Sequence, residues 1–117
     1  MDIHSSLLVV RKPNGQVRLC IDPRPLNKVL KRAHYAIPIV DDILPQLSNV
    51  KVVSLRDAKE GFWMLKLDEE SSKLTTFETH KGRYRWLRLP YGLKVCPEVF
   101  QARMHEVLSR LQGVHCI

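Results

Sequence analysis

An acidic residue shortly after a β-branched run is the first candidate for chemistry in this sequence. The run Val50–Leu55 is rich in valine, which favours a β-strand, and Asp57 follows two residues later. Alternation along a strand would put Val53, Leu55 and Asp57 on one face. A carboxylate at the C-terminal end of a sheet strand often lies at a ligand site. A turn aspartate that hydrogen-bonds the backbone is the alternative, and the residues alone leave both open.

Basic residues are concentrated in two stretches. The chain has 117 residues, 44% apolar and 26% charged, which predicts a folded domain, and its net charge is +7. Residues 11–32 hold seven cations and one acid, and residues 81–94 hold five cations and no acid. These clusters indicate a polyanionic partner or an ordinary solvated surface. Neither cluster forms an amphipathic basic helix and no long apolar run occurs, so no membrane association is predicted.

The three cysteines show no metal-binding or disulfide pattern. They are odd in number, no C-x-x-C motif occurs, and the histidines lack zinc-ligand spacing. We therefore expect free thiols and an intracellular, reducing location, cytoplasmic or nuclear, with Cys20 and Cys96 packed inside. No targeting signal is recognisable.

A hairpin is predicted near the N-terminus. Pro13–Gly15 separates the β-rich runs Ser6–Val10 and Val17–Ile21, and Asn-Gly readily accepts the positive φ of a tight turn. This places Lys12 near the tip and Arg18 on the returning strand. Cations on both arms of a tip suit a phosphate group, although a solvated hairpin without a ligand fits the same residues.

A second hairpin is predicted around Thr79–Gly82, with Leu74–Phe77 and Arg83–Leu87 as its strands. Aromatic and basic side chains alternate on the returning strand. Such a strand can stack on bases and contact phosphates, or it can simply bury its aromatic face. The aromatic face holds Tyr84 and Trp86, and the basic face holds Arg83 and Arg85.

Two main helices complete a predicted α+β fold. The first begins at Pro38 and is shortened or kinked by Pro45. The second runs from Glu98 to about Leu111, stops at Gly113, and buries an apolar stripe. The sequence also predicts a turn or a single helical turn at Asp22–Asn27, an irregular basic stretch at Lys28–Ala36, and a polar turn or one helical turn at Asp68–Ser72. Strands are predicted at Met64–Leu67 and Val114–Ile117, and Phe100 and Met104 are predicted to lie in the core.

Four segments, in order, resemble the polymerase of gypsy-type long-terminal-repeat retrotransposons, a branch of the reverse transcriptases. They are Arg11–Asn27, Ser54–Trp63, Lys73–Leu93 and Pro97–Met104. The resemblance implies a partial right-hand polymerase built of fingers and palm, acting on an RNA or DNA template-primer and a deoxynucleoside triphosphate. The implied boundaries are fingers at 1–48 and 66–90, palm at 49–65, and an incomplete palm at 91–117.

The resemblance also implies roles for individual residues. Asp57 matches the first catalytic aspartate, a ligand of both Mg²⁺ ions together with the backbone of Ala58. Phe62 matches the aromatic gate beneath the incoming sugar. Lys12 and Arg18 match the cations that hold the triphosphate, and Tyr91 matches a residue beside the nascent base pair. Residues matched to template contacts or placed on the basic hairpin face are Arg24, Asn27, Arg83, Arg85 and Gly92.

Two departures from the family pattern matter. In the family, two adjacent aspartates follow the residues matched by Cys116 and Ile117 almost at once, whereas this sequence ends there. Because one carboxylate cannot hold two Mg²⁺ ions, we expect no polymerisation by this chain unless a continuation or another chain supplies the rest of the palm. Arg56 stands where the family has an apolar residue. A non-catalytic nucleic-acid-binding module and a non-functional transposon relic are the alternatives.

Overall fold

The computed structural model describes residues 5–31 and 35–117, and it confirms the α+β class. Predictions that fall on residues 1–4 and 32–34, including Arg32 of the first basic stretch, lie outside the described residues. The elements are β1 (Leu7–Arg11), β2 (Val17–Ile21), α1 (Arg24–Asn27), α2 (Val40–Ile43), α3 (Glu69–Leu74), β3 (Phe77–Thr79), β4 (Gly82–Tyr84), α4 (Cys96–Leu108) and 3-10 helices at Leu44–Leu47 and Gly61–Met64.

The first predicted hairpin is confirmed. β1 and β2 pair antiparallel, with Val10 opposite Arg18. At the tip the Lys12 N–H donates to the Gln16 carbonyl at 2.7 Å, and Gly15 has φ +86°. Because paired residues share a face and faces alternate along a strand, Lys12 and Arg18 lie on the same face of the hairpin.

The second predicted hairpin is confirmed, but its strands are shorter. β3 pairs antiparallel with β4, with Glu78 opposite Arg83, and Leu74 belongs to α3. The strand predicted at Met64–Leu67 is reduced to a bridge, in which the Leu67 N–H donates to the Leu87 carbonyl at 3.0 Å. Met64 instead ends a 3-10 helix.

Helix α3 anchors the chain that leaves the second hairpin. Its N-cap Asp68 accepts the Ser71 N–H at 2.7 Å, at the position where the sequence predicts a polar turn or one helical turn. The buried Thr75 hydroxyl donates to the Ser72 carbonyl at 2.6 Å and accepts the Trp86 N–H at 2.9 Å. The Ser72 hydroxyl donates to the Trp86 carbonyl. Both backbone groups of Trp86 are therefore satisfied by α3 and the residue that follows it.

The two main helices differ in length. α2 is a single turn, in which the Asp42 carboxylate accepts the Ile39 N–H at 2.9 Å. A 3-10 helix that contains Pro45 follows it, so the helix is short, as predicted from Pro45. α4 has 13 residues and ends one turn before the predicted Leu111. Phe100 and Met104 are half-buried within it.

The prediction of a strand ending at Asp57 is wrong. Residues 51–60 are all exposed and contain no strand, and the Leu55 side chain is 87% accessible. A strand needs a hydrogen-bonded neighbour, and none of the described residues pairs with this segment. The strand predicted at Val114–Ile117 is also not formed, although its Cys116 carbonyl accepts the Gln101 amide N–H at 2.7 Å.

The core lies between β2, α1 and the start of α4. Its buried members are Ile21, Leu26, Leu89, Leu93 and Cys96. All three cysteines are free, and Cys20 and Cys96 are buried as predicted. The Cys96 thiol donates to the Pro90 carbonyl at 3.0 Å, and burial raises its pKa to about 12. Among the described residues, no helix is both long and apolar enough to cross a membrane.

Candidate functional site

Aromatic rings stack at the centre of the candidate site. The ring centroids of Phe62 and Tyr91 lie 4.7 Å apart with an interplanar angle of 29°, and Phe100 of α4 packs on Phe62 at 5.5 Å. Gly61 allows this approach, because a Cβ there would lie 2.7 Å from the Phe100 ring. The ring of Phe62 thereby contacts both helix α4, through Phe100, and the ring of Tyr91.

The loop that carries Tyr91 is hydrogen-bonded to the edge of β2. The Ile21 N–H donates to the Tyr91 carbonyl at 3.0 Å. Gly92 has φ +116°, and a Cβ on it would lie 2.5 Å from the Ile21 carbonyl oxygen. Only glycine fits this position without displacement, so Gly92 fixes the loop against the hairpin that carries Arg18.

A cation lies against the ring of Tyr91. The Arg18 guanidinium carbon lies 4.4 Å from the Tyr91 ring centroid, within the range of a cation–π contact. The Arg18 Nε is buried and has no hydrogen-bond partner among the described residues. Burial raises the pKa of the Tyr91 hydroxyl, and the charge of Arg18 opposes this rise. The arrangement holds a positive charge against the aromatic rings.

Lys12 shares the hairpin face of Arg18. The two residues are separated by one pair in the β1–β2 register, or about 7 Å along the strands. The side chain of Lys12 is half-buried. Two cations on one face at this spacing suit a ligand with several phosphates.

The structure does not bring Asp57 to a sheet edge. Asp57 lies in the exposed segment 51–60, immediately before Ala58. Among the described residues, no group of three or more His, Cys, Asp or Glu side chains could hold a metal ion. The donors present therefore do not fit a two-metal centre, which needs several carboxylate oxygens.

Arg24 and Asn27 lie on α1, beside the Gly92 loop. Arg24 pairs with Asp22, with 2.8 Å between Nη2 and Oδ2, and its hydrogen bonds to Asp22 lower the pKa of that carboxyl. The Asn27 side-chain oxygen accepts the Lys94 N–H at 3.3 Å. The side chain of Asn27 thus connects α1 to the segment that follows Gly92, while the Arg24 side chain remains largely exposed.

Arg83 and Arg85 differ in their surroundings. Arg83 forms an ion pair with Glu78, its opposite residue on β3, at 2.8 Å. Arg85 is exposed, has no ion pair among the described residues, and borders an apolar groove of about 450 Å³. On the aromatic face, Trp86 is half-buried and Tyr84 is exposed, so the interior position predicted for aromatics holds only in part.

Sequence reasoning missed the residues that support the ring stack. Trp63 contacts Tyr91 edge-on at 5.6 Å. The helical pattern predicts only a core position for Phe100, yet its ring packs against Phe62. The adjacent aromatics at positions 62 and 63 were the available signal, because neighbouring residues in a tight helical turn point in different directions and can contact different partners.

The sequence matches the family described as reverse transcriptase (RNA-dependent DNA polymerase) over residues 10–117. It is 42% identical over 115 residues to the retrovirus-related Pol polyprotein from transposon 412 of Drosophila melanogaster, covering 93% of this chain and 9% of that protein. It is 34% identical over 106 residues to the enzymatic polyprotein of cauliflower mosaic virus (strain Strasbourg), covering 91% of this chain and 16% of that protein.

The fold is similar to that of solved foamy viral enzymes. A protease-reverse transcriptase in complex with double-stranded DNA superposes with a TM-score of 0.76 and 25% identity, over 96% of this chain and 20% of that chain. The native prototype foamy virus protease-reverse transcriptase gives a TM-score of 0.66 and 26% identity, over 96% of this chain and 15% of that chain. The chain thus spans a small part of the proteins it matches.

Proposed function

Because the chain belongs to the reverse transcriptase family, we propose that it is part of an RNA-directed DNA polymerase and binds a deoxynucleoside triphosphate at the Arg18–Tyr91–Phe62 cluster. The fold is a partial right-hand polymerase fold. The observation that carries the proposal is the Arg18 guanidinium 4.4 Å above Tyr91, whose ring stacks on Phe62 at 4.7 Å. Three residues from distant parts of the sequence converge there.

The proposed contacts follow from the chemistry of each side chain. Arg18 and Lys12 would neutralise the triphosphate, since phosphoryl transfer depends on positioned cations around the leaving group. Phe62 would lie beneath the sugar and exclude a 2′-hydroxyl, and its rigid support by Phe100 favours such a role. Tyr91 and Gly92 would lie beside the nascent base pair.

We assign template contact to the basic residues around this cluster. Arg24 and Asn27 on α1 would meet the template beside Gly92, and Arg83 and Arg85 would meet it from the second hairpin. Two basic stretches and a net charge of +7 support a nucleic acid partner. In this proposal the fingers comprise residues 1–48 and 66–90, and the palm comprises residues 49–65 and 91–117.

We assign Asp57, with the backbone of Ala58, as a Mg²⁺ ligand of the polymerase. A carboxylate is a suitable ligand for this hard cation. The described residues offer no further carboxylates grouped with Asp57, and two ions cannot be held by one. The 117-residue chain by itself should therefore not extend a primer.

Nucleotide binding tests the cluster. Titration of the chain with dTTP should change tryptophan fluorescence, because Trp63 contacts Tyr91. Arg18→Gln should weaken binding about tenfold or more, since a charge-assisted hydrogen bond to phosphate is lost. Arg103→Gln is the matched control, because Arg103 is an exposed α4 residue paired with Glu106. Equal affinity of wild type and Arg18→Gln would reject the assignment of Arg18.

Primer extension on an RNA template with Mg²⁺ tests the expected inactivity of the chain alone. No product above background should form at any chain concentration. Robust synthesis that disappears in Asp57→Asn would overturn the expectation and would show that Asp57 works with metal ligands other than grouped carboxylates.

A non-catalytic nucleic-acid-binding module is the second candidate, and the exposed Arg85 without an ion pair among the described residues favours it. The response to dTTP distinguishes the two candidates. A module would bind single-stranded RNA or DNA with a steep salt dependence and would not respond to dTTP. Salt-independent anisotropy would remove this candidate.

A further inference from the structure

Trp63 lies between the candidate nucleotide site and the second hairpin. Its ring contacts Tyr91 at 5.6 Å with an interplanar angle of 73°, and it packs against Trp86 at 6.4 Å. The Trp86 backbone N–H donates to the Thr75 hydroxyl, and its carbonyl accepts the Ser72 hydroxyl. Trp63 therefore connects the ring of Tyr91 to a residue whose backbone is fixed by α3 and the residue that follows it.

Ring contacts determine the position of the Trp63 side chain. The side chain is half-buried, and its Nε1 atom is buried without a hydrogen-bond partner among residues 5–31 and 35–117. The N–H of a buried tryptophan usually finds a hydrogen-bond partner. Because this one does not, packing against neighbouring rings places the indole, and a phenylalanine at position 63 would lose no hydrogen bond.

One tight helical turn directs two aromatic side chains at the same tyrosine. The 3-10 helix Gly61–Met64 has about three residues per turn, so the side chains of Phe62 and Trp63 leave it about 120° apart. The Phe62 ring lies 29° from parallel to Tyr91, whereas the Trp63 ring is closer to perpendicular, at 73°. A parallel neighbour alone permits a ring to slide, and a perpendicular neighbour restricts that movement. Together the two contacts restrict both the position and the tilt of the Tyr91 ring.

The orientation of the Tyr91 ring matters because Arg18 lies over it. The guanidinium carbon is 4.4 Å from the ring centroid, and cation–π attraction requires the cation to lie over the face of the ring. The main chain of Tyr91 is fixed separately, since its carbonyl accepts the Ile21 N–H at 3.0 Å. That hydrogen bond does not fix the side-chain torsions. Loss of the Trp63 ring would therefore let the Tyr91 ring turn away from Arg18 while the loop stays in place.

We propose that Trp63 is a positioning residue of the nucleotide site, which holds the Tyr91 ring and, through that ring, holds the Arg18 guanidinium where a triphosphate binds. The inference rests on the proposed function, which supplies the triphosphate. In this arrangement Trp63 contacts Tyr91 and not the ligand. Its replacement should weaken phosphate binding although no group that binds phosphate is removed.

The position of Arg18 can be tested without a ligand. Nuclear Overhauser cross-peaks between the Tyr91 ring and the Arg18 side chain report their contact. The cross-peaks should persist in Trp63→Phe, which keeps an aromatic contact, and should weaken in Trp63→Leu, which does not. Circular dichroism and urea unfolding verify that the variants fold. If Trp63→Leu does not fold, Trp63→Met replaces it, because its long flexible side chain fills the space of the indole without a ring.

Ligand binding tests the consequence for the nucleotide site. Equilibrium dialysis with dTTP and with inorganic tripolyphosphate measures both affinities without the fluorescence of Trp63. Trp63→Leu should weaken the binding of both ligands about two- to tenfold, which corresponds to the loss of one aromatic pair. Trp63→Phe should bind both ligands as wild type does. In an Arg18→Gln background Trp63→Leu should cause no further loss, because its effect passes through Arg18.

Phe77→Leu is the matched control. The Phe77 ring is half-buried and, within the part of the chain that the structure describes, packs against the rings of Tyr84 and Trp86. The substitution removes an aromatic ring from the same region without removing a contact to Tyr91. It should lower the free energy of unfolding and leave the affinities for both ligands unchanged.

Four outcomes would overturn the proposal. They are Arg18–Tyr91 cross-peaks of wild-type intensity in Trp63→Leu, wild-type affinity of that variant for tripolyphosphate, an equal loss of affinity with and without Arg18→Gln, and an equal loss in Phe77→Leu. A wild-type chain that binds neither ligand would reject the nucleotide site, and the cross-peaks would then decide whether Trp63 positions Arg18. Weaker binding in Arg18→Gln with unchanged binding in Trp63→Leu would leave the nucleotide site standing and reject the role of Trp63.

Discussion

Gly61 and Gly92 determine how closely the backbone of the candidate site approaches its neighbours. Gly61 admits the ring of Phe100, and Gly92 admits the carbonyl of Ile21. In both cases the space that a Cβ would fill is already occupied, so the position of Phe62 and Tyr91 depends on residues that carry no functional group.

Gly92→Ala should lower the free energy of unfolding more than Gly82→Ala. Both glycines have positive φ, +116° and +127°, so both substitutions incur about 1–3 kcal/mol of backbone strain. At Gly92 the added Cβ also meets the Ile21 carbonyl at 2.5 Å, whereas nothing lies within 4 Å at Gly82. We expect about 1–3 kcal/mol more loss at Gly92, from overpacking. Urea unfolding followed by tryptophan fluorescence measures both, and equal losses would contradict the role of the Ile21 contact.

The roles of individual residues are predictable from the sequence only as far as local pattern and resemblance reach. The resemblance singles out Arg18, Phe62 and Tyr91 separately, and the structure places them in contact. The support by Phe100 and Trp63 is not predictable in this way, because it depends on where α4 and the 3-10 helix meet. That contact joins segments that are distant in sequence, and the spacing of residues within either segment does not predict it.

At the scale of elements, both predicted hairpins form, whereas the strand predicted in residues 50–57 does not. The difference has one cause. The turn at Pro13–Gly15 and the turn at Thr79–Gly82 are encoded by adjacent residues, and each strand finds its neighbour across the turn. Val50–Asp57 has strong β-propensity but no described neighbour, and propensity alone does not satisfy backbone donors and acceptors. Composition favours a strand in this segment, whereas formation of the strand depends on a pairing partner.

Thr75→Val should uncouple α3 from the second hairpin. The substitution keeps the shape of the buried side chain but leaves the part-buried Trp86 N–H without its acceptor at 2.9 Å. An unsatisfied buried donor costs about 1–3 kcal/mol. Thr76→Val is the matched control, because the Thr76 hydroxyl donates only to the Lys73 carbonyl of its own helix end. Its effect should stay within about 0.5 kcal/mol. Thermal unfolding would count against the role of Thr75 if both variants lost the same stability.

The whole molecule is elongated, with a small core. Its radius of gyration is 17.1 Å and its extents are 57 × 33 × 21 Å, whereas about 13 Å is typical of a compact domain of this size. The buried hydrophobic side chains among the described residues are few: Cys20, Ile21, Leu26, Leu89, Leu93 and Cys96. Many large hydrophobic side chains of the described residues are correspondingly exposed, among them Val52, Val53 and Leu55.

Arg85→Ala should reduce the salt dependence of RNA binding more than Arg83→Ala. Each phosphate contact contributes about 0.7 to the slope of log K against log salt for a single strand. Arg83 is already paired with Glu78 at 2.8 Å, so part of its charge is neutralised before binding. Anisotropy titrations at several salt concentrations give the slopes, with Arg103→Ala as the control. A larger change for Arg83 would indicate that RNA displaces Glu78.

The buried thiol of Cys96 gives this protein an internal reporter of core opening. Alkylating reagents react with thiolates, and a thiol with a pKa of about 12, bonded to the Pro90 carbonyl, supplies almost none at neutral pH. Cys116 is half-exposed and should be modified first. Modification of Cys96 then requires the core around it to open, so its rate measures how often this core opens.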